Sequence, residues 1–252
     1  MDDNNPRVIE QTDDFAVVYK PPKMHCVTQK QKNDRLSGGT LLEWCAENHP
    51  PVFDIMHRLD FETHGLVLFA KNAAAFDFFK SMQEKGGFVK EYSAVCSNSV
   101  FNPRSINYSA SGFPPPPDLA WREPSPEKPL VIMSYFRPYG HGRKLVRPVT
   151  DEKKYRETAK DRGGFYRTEI IGGGNGVFTV RIKRGFRHQI RCHLCWVGCP
   201  ILNDPLYDFQ LNSETVSGSE PAAGVLALRA HALFFTDPST GKPREYRIAP
   251  LC

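Results

Sequence analysis

Residues 56–71, MHRLDFETHGLVLFAK, join two different kinds of sequence. Gly65 to Ala70 is a short apolar run, the pattern of a buried strand. Just before it, His57, Arg58, Asp60, Glu62, Thr63 and His64 put six polar or ionisable side chains into eight residues. A core strand fixes the loop that feeds it, so this polar crowd is held against the interior. An isolated aspartate here would be read as capping a turn. With His57 and Arg58 beside it, Asp60 can also be a paired, ionised carboxylate. A carboxylate held by a guanidinium is a usable nucleophile or base.

Working outward, 13–20 (DFAVVYKP from Asp14) predicts a strand closed by Pro21-Pro22. Thr40 to His49 has helical spacing, with Leu41, Leu42, Cys45 and Ala46 on one side. Asn72 is a suitable N-cap for AAAFDFFKSMQEK, which stops at Gly86-Gly87. Lys90 to Cys96 reads as a strand with Lys90, Tyr92, Ala94 and Cys96 on one face. From Phe101 to Pro148 there are ten prolines, which predicts an irregular, Pro-rich excursion over about 101–150. Strands are again expected over Gly164–Ile171 and Asn175–Arg184, the second alternating Phe178, Val180 and Ile182 against Thr179, Arg181 and Lys183. A helix is expected over Phe186–Val197, with Phe186, Ile190, Leu194 and Val197 as its apolar stripe. Val225–Phe235 and Arg244–Ile248 complete the strands. Strands outnumber helices without regular βαβ alternation. The expected class is therefore α+β, a mixed, largely antiparallel β-sheet with flanking helices and loops.

The bulk composition, 40% hydrophobic and 24% charged over 252 residues, is that of a globular protein with a sizeable core. No stretch approaches the roughly 18 apolar residues of a membrane helix. The start, MDDNNPRVIEQ, lacks the basic and apolar segments of a secretory signal, so a cytoplasmic protein without membrane contact is expected. Seven irregularly spaced cysteines argue for reduced thiols. The net charge of +5 is unevenly spread: Arg137–Arg167 carries ten Lys/Arg against four acids, and Arg181–Arg191 five more with no acid. Such clusters suit either a polyanionic partner or a solvated surface.

Three further stretches invite a site. Gly172 to Gly176 lies between two strands rather than before a helix, which predicts a hairpin turn instead of a phosphate loop. His188, Cys192, Cys195 and Cys199 fall on one helix face but spread over roughly 16 Å, too far for one tetrahedral zinc to gather. Buried, inert thiols fit better, with a thiol-metal protein as the competing reading. RGFRHQIRCHL crowds Arg184, Arg187, His188, Gln189, Arg191 and His193 at a helix start, where the helix dipole favours acids. Positive charge placed there suggests an anionic partner, phosphate or carboxylate.

HRLD-FETHG, KEYSA about thirty residues later, RHQIRCHLCWVGCPILNDPLYD and RAHALFFTDPSTGK resemble, in order and spacing, the RluA-like pseudouridine synthases. So does the opening segment from Ile9 to the KPP at Lys20–Pro22. Recognisable segments cover about 10–98 and 165–248. The resemblance implies a single catalytic domain over 1–252, folded as a pseudouridine synthase around an active-site cleft, with no separate N-terminal RNA-binding domain. It implies an enzyme that isomerises uridine to pseudouridine in ribosomal or transfer RNA, without a cofactor or metal, and acting as a monomer.

By the same resemblance Asp60 is the catalytic nucleophile or base. Tyr92 is the active-site tyrosine that packs on the flipped base, and Arg191 is the basic residue that pairs with the aspartate. Arg58 fills the gap left in the RNA stack. His57, Thr63, His188, Gln189 and Ile190 are the further substrate-binding candidates. The sequence departs from the family in having Lys23, Asn203 and Asp208 at usual glycine positions, His64 at a usual serine, and Phe186 before RHQIR. A catalytically silent RNA-binding protein on the same fold is the alternative, against which the retained Asp60, Tyr92 and Arg191 speak.

Overall fold

A computed structural model of the chain describes residues 3–28, 39–52, 54–97, 112–119, 122–152, 155, 164–207 and 224–252. In chain order the first elements are β1 (Arg7–Gln11), β2 (Phe15–Lys20), α1 (Leu41–Asn48), β3 (Asp54–Ile55), β4 (His64–Ala70), α2 (Ala73–Glu84) and β5 (Val89–Val95). There follow β6 (Leu130–Tyr139), β7 (Leu145–Val149), β8 (Tyr166–Gly174), β9 (Val177–Ile182), α3 (Gln189–Trp196), β10 (Leu228–Thr236) and β11 (Pro243–Arg247). Backbone contacts divide the chain into two compact units, one of Met1–Tyr92 with Arg229–Pro250 and one of Ser93–Leu228 with Leu251–Cys252. Among the described residues no helix is long and apolar enough to cross a membrane.

In the first unit β4 is buried along its whole length because strands flank it on both sides. It pairs antiparallel with β2, from Phe15↔Ala70 to Lys20↔Gly65, and parallel with β10 at Arg229↔His64 and Ala230↔Gly65. That is why its apolar run is continuous rather than alternating. Gly65 permits the parallel contact: at φ +123 a Cβ would lie 2.2 Å from the Ala230 carbonyl oxygen. Leu66, Leu68 and Ala70 face a core completed by Phe15, Phe79, Phe88, Phe235 and Tyr246. Phe15 and Phe79 both meet Phe235 edge-on, with ring centroids 5.2 and 5.5 Å apart. α2 closes this core with Ala75 and Phe79, one turn apart. Its N-cap is Asn72 as expected, the side chain accepting from the Ala75 amide at 2.8 Å.

β4 begins one residue earlier than the apolar run indicated, at His64. Its ring is buried edge-on to Tyr19 at 6.5 Å, and Nδ1 has no hydrogen-bond partner. Burial, then the Arg229 charge, holds its pKa down at about 4. His64 is a neutral core residue and not part of a polar site. An unfolded chain takes up a proton here below pH 6.5 that the folded chain refuses until about pH 4. Stability therefore falls as pH drops through that window, by about 3 kcal/mol from this group alone. His64→Ser is expected to show a shallower decline of thermal stability between pH 7 and 4.5 than the parent. Parallel pH profiles would refute this role.

In the second unit the strand order is β9-β8-β6-β7, all antiparallel. The β8–β9 turn is the expected hairpin, with Gly173, Asn175 and Gly176 all at positive φ. The Pro-rich excursion is less irregular than its composition predicts, since β6 and β7 form a regular hairpin inside it. Pro148 is tolerated because β7 is the outer strand of this order. Pro138 lies beyond Ser134, the last β6 residue paired with β8. Residues 101–111 and 120–121 of the excursion lie outside the described residues.

α3 differs from the expected amphipathic helix. It starts at Gln189, after His188 in a left-handed conformation (φ 55), and all eight of its residues are buried. Its polar side chains must therefore find partners inside. Gln189 donates to the Arg167 carbonyl and the Thr168 hydroxyl, both at 3.0 Å. His193 bridges Ser134 Oγ (3.0 Å) and Thr168 Oγ1 (2.8 Å). The cysteines are spent the same way: Cys192 Sγ donates to the Val146 carbonyl and Cys195 Sγ to that of Tyr207.

Two residues at usual glycine positions keep glycine-like backbones, Lys23 at φ 58 and Asn203 at φ 60. Asn203 tolerates this region readily and also donates to the Val225 carbonyl at 3.1 Å. Asp208 lies outside the described residues.

Candidate active site

The polar loop before β4 is braced at alternate residues. His57 turns inward, where Nε2 accepts from the Leu68 amide at 3.2 Å and the ring meets Phe88 edge-on at 5.2 Å. Burial, then the Lys90 charge, holds it neutral. Leu59 is buried, and its backbone is clasped by Cys26: the Leu59 amide donates to Sγ at 3.3 Å and Sγ donates to the Leu59 carbonyl at 3.5 Å. The Phe61 carbonyl accepts from Lys20 Nζ at 3.2 Å. The Thr63 amide donates to the Asp60 carbonyl at 3.2 Å, and its side chain is buried. With 57, 59, 61 and 63 pinned, Arg58 is left exposed and Asp60 half-buried.

Lys20 is the unforeseen centre of this arrangement. It ends β2, is fully buried, and its ammonium also donates to the carbonyls of Pro21 and Met24, both at 2.8 Å. One cation thus ties the KPP turn to the Asp60 loop. Burial lowers its pKa to about 8, against the opposing charges of Cys26, Asp60 and Glu62. Tyr92, on β5, is buried, and its hydroxyl is pushed well above the ordinary tyrosine range by burial, then by the charges of Asp60 and Cys26. The first unit therefore gathers Asp60, a protonated Tyr92 hydroxyl and a rigid cationic brace within electrostatic reach of one another. Such a set can present a carboxylate to an electrophilic carbon beside a neutral hydrogen-bond donor.

The remaining candidates belong to the second unit. Arg191, 2% exposed, forms a bidentate pair with Asp204: Nε to Oδ2 at 2.8 Å and Nη2 to Oδ1 at 2.7 Å. Asp204 is also buried and accepts from the amides of Leu206 (2.9 Å) and Tyr207 (3.1 Å). His188 Nδ1 lies 3.2 Å from the Tyr207 hydroxyl, which accepts from the Val146 amide at 2.8 Å. Gln189 uses its amide group inside the fold, Oε1 accepting from the Phe186 amide at 2.9 Å, and Ile190 is buried. The sequence does not mark Asp204 or Lys20 as site residues. Their only signals were an acid in the turn NDPLY and a lysine before two prolines.

Residues 14–196 match the family model described as RNA pseudouridylate synthase. The chain belongs to this family. An uncharacterized protein of Caenorhabditis elegans is 32% identical over 80% of this chain and 39% of its own length. RNA pseudouridine synthase 7 of Arabidopsis thaliana is 26% identical over 97% of this chain and 55% of its own. Pseudouridylate synthase RPUSD2 of Homo sapiens is 28% identical over 80% of this chain and 31% of its own. The chain thus spans about a third to a half of these curated relatives. Among solved structures, human RNA Pseudouridylate Synthase Domain Containing 1 superposes with a TM-score of 0.64 at 18% identity, covering 99% of this chain and 85% of that one. This likeness establishes the mixed, largely antiparallel α+β fold of the pseudouridine synthases.

Proposed function

We propose that the chain, working as one catalytic domain and as a monomer in the cytoplasm, isomerises uridine to pseudouridine in ribosomal or transfer RNA. The observation that carries this is Asp60, presented on a loop braced at every second residue beside a buried, protonated Tyr92. A stacked uridine is out of reach, so it must first be extruded at a cost of about a few kcal/mol. Arg58, exposed two residues before Asp60, is suited to fill the vacated stack. Asp60 then acts on the ribose as nucleophile at C1′ or as base. The C1′–N1 bond breaks, the base turns, C1′ bonds to C5, and the C5 proton is lost as N1 gains one. The product is an isomer, so nothing else need enter or leave.

Tyr92 with a raised pKa favours packing on the base and donating a hydrogen bond over acting as a base. Arg191 is the cation assigned by family resemblance to the catalytic carboxylate, and Asp204 orients it within its own unit. Thr63 and His188 remain candidates for substrate contact, whereas His57, Gln189 and Ile190 act through the fold, as positioning residues. The direct test is pseudouridine formation in bulk cellular RNA by the purified protein. Binding without product would favour the silent RNA-binding reading.

The β6–β7 hairpin supports an RNA substrate. Arg137 and Arg147 face each other across its ladder, which concentrates positive charge on the hairpin. Its tip exposes Arg143 and Lys144, and Arg187 Nη2 ties it to the loop before α3 by donating to the Arg143 carbonyl at 2.6 Å. RNA affinity is expected to fall steeply with salt. Arg143→Ala with Lys144→Ala should reduce the log–log slope by about 1 to 1.5, at about 0.7 per lost phosphate contact on single strands. An unchanged slope in a salt titration would remove the hairpin from the RNA surface.

A further inference from the structure

The residue after Asp60 points outward. Phe61 is 39% exposed, whereas Leu59 and Thr63 on the same loop are buried. It does not stand alone: its centroid lies 4.5 Å from that of the half-buried His25, with the planes 35° apart. Both backbones are fixed. Lys20 Nζ holds the Phe61 carbonyl, and the Leu41 amide at the start of α1 donates to the His25 carbonyl at 2.9 Å. Their neighbours Leu59 and Cys26 clasp each other through Sγ. Two loops are thus stitched together so that a pair of overlapping rings forms part of the surface beside Asp60. Burial and the Lys20 charge lower the His25 pKa, so the pair offers a neutral π surface at pH 7 rather than a cation.

We propose that Phe61, braced by His25, is a stacking platform for a nucleobase of the RNA next to the uridine on which Asp60 acts. The assignment rests on reading Asp60 as an RNA-modifying carboxylate, and it adds a contact that recognises a base where Arg58 fills the vacated stack and the basic hairpin addresses the backbone. An aromatic face takes any base and supplies affinity that phosphate contacts cannot. Its rigidity matters because a preordered ring loses little entropy on binding. An exposed phenylalanine adjoining a carboxylate and an arginine is poorly suited to a dry protein interface, where unpaired charges would be desolvated.

The test compares binding of a 12-nucleotide oligouridylate with that of the same strand carrying abasic riboses, which retain every phosphate. Phe61→Leu keeps an apolar side chain but removes the ring. It is expected to weaken the uridine strand about tenfold while leaving the abasic strand and the salt slope unchanged. Phe61→Trp is expected to restore or exceed parental binding, and His25→Ala to weaken the uridine strand by a smaller factor. Parental binding of the uridine strand by Phe61→Leu, or equal losses on both strands, would overturn the platform. Pseudouridine formation is read in parallel. Base-selective loss in Phe61→Leu from a parent that makes no pseudouridine keeps the platform and removes the enzymatic reading. An active parent with no base-selective loss does the reverse.

Discussion

Asp60→Ala and Asp60→Asn are each expected to abolish pseudouridine formation in bulk cellular RNA, a loss on the order of 10⁴-fold or more, while RNA binding survives. Asparagine keeps the size and most of the hydrogen bonding of the carboxylate but cannot attack or accept a proton as it does. The loop is held at four points other than this side chain. His57, Leu59, the Phe61 carbonyl and the Thr63 amide hold it, and the Asp60 carbonyl accepts from Thr63 whatever residue stands there. A thermal melt of each variant, expected to match the parent, separates loss of chemistry from loss of the fold. Pseudouridine and uridine have the same mass, so the readout is chromatographic separation of nucleosides after digestion. Activity persisting in both variants would remove Asp60 from the mechanism.

The largest effect on stability is expected from Asp204→Ala, about 3–5 kcal/mol in urea denaturation. The substitution removes the bidentate carboxylate from a buried guanidinium, since the two side chains are only 2% and 0% exposed. It also leaves the amides of Leu206 and Tyr207 without their acceptor. The contrast is the Arg167–Glu169 pair, whose arginine is 49% exposed. Its removal is expected to cost within about 1 kcal/mol. If Asp204→Ala costs no more than this surface pair, the buried pair is not what holds the turn after α3 in place.

The main elements were legible where local rules and tertiary environment agree. The continuous run from Gly65 to Ala70 names a strand flanked on both sides, Asn72 names a helix start, and the glycines after Ile171 name a hairpin. The β6–β7 hairpin was not legible. Pro138 and Pro148 read as breakers until the ladder shows that neither blocks an inner pairing. α3 misled in the opposite sense. Its spacing predicts one apolar stripe, yet every residue is buried, because Thr168, Ser134 and Asp204, distant in sequence, satisfy its polar groups. Lys20 could be seen as part of a family motif, but not as the cation that joins two loops, because its three acceptors are backbone carbonyls that no residue pattern reveals.

The polar stretch before β4 divides along the same line. Sequence alone determined that a carboxylate and an arginine stand at the mouth of a core strand, and, through motif order, to which family they belong. Only the tertiary structure decided which of the six polar side chains are available for chemistry. His57 and His64 are turned inward and neutral, Thr63 is buried, Arg58 is exposed and Asp60 half-buried. The physical reason is that a loop's side chains are sorted by where its backbone is pinned. Here the pins come from Lys20 and Cys26, some forty and thirty residues away along the chain.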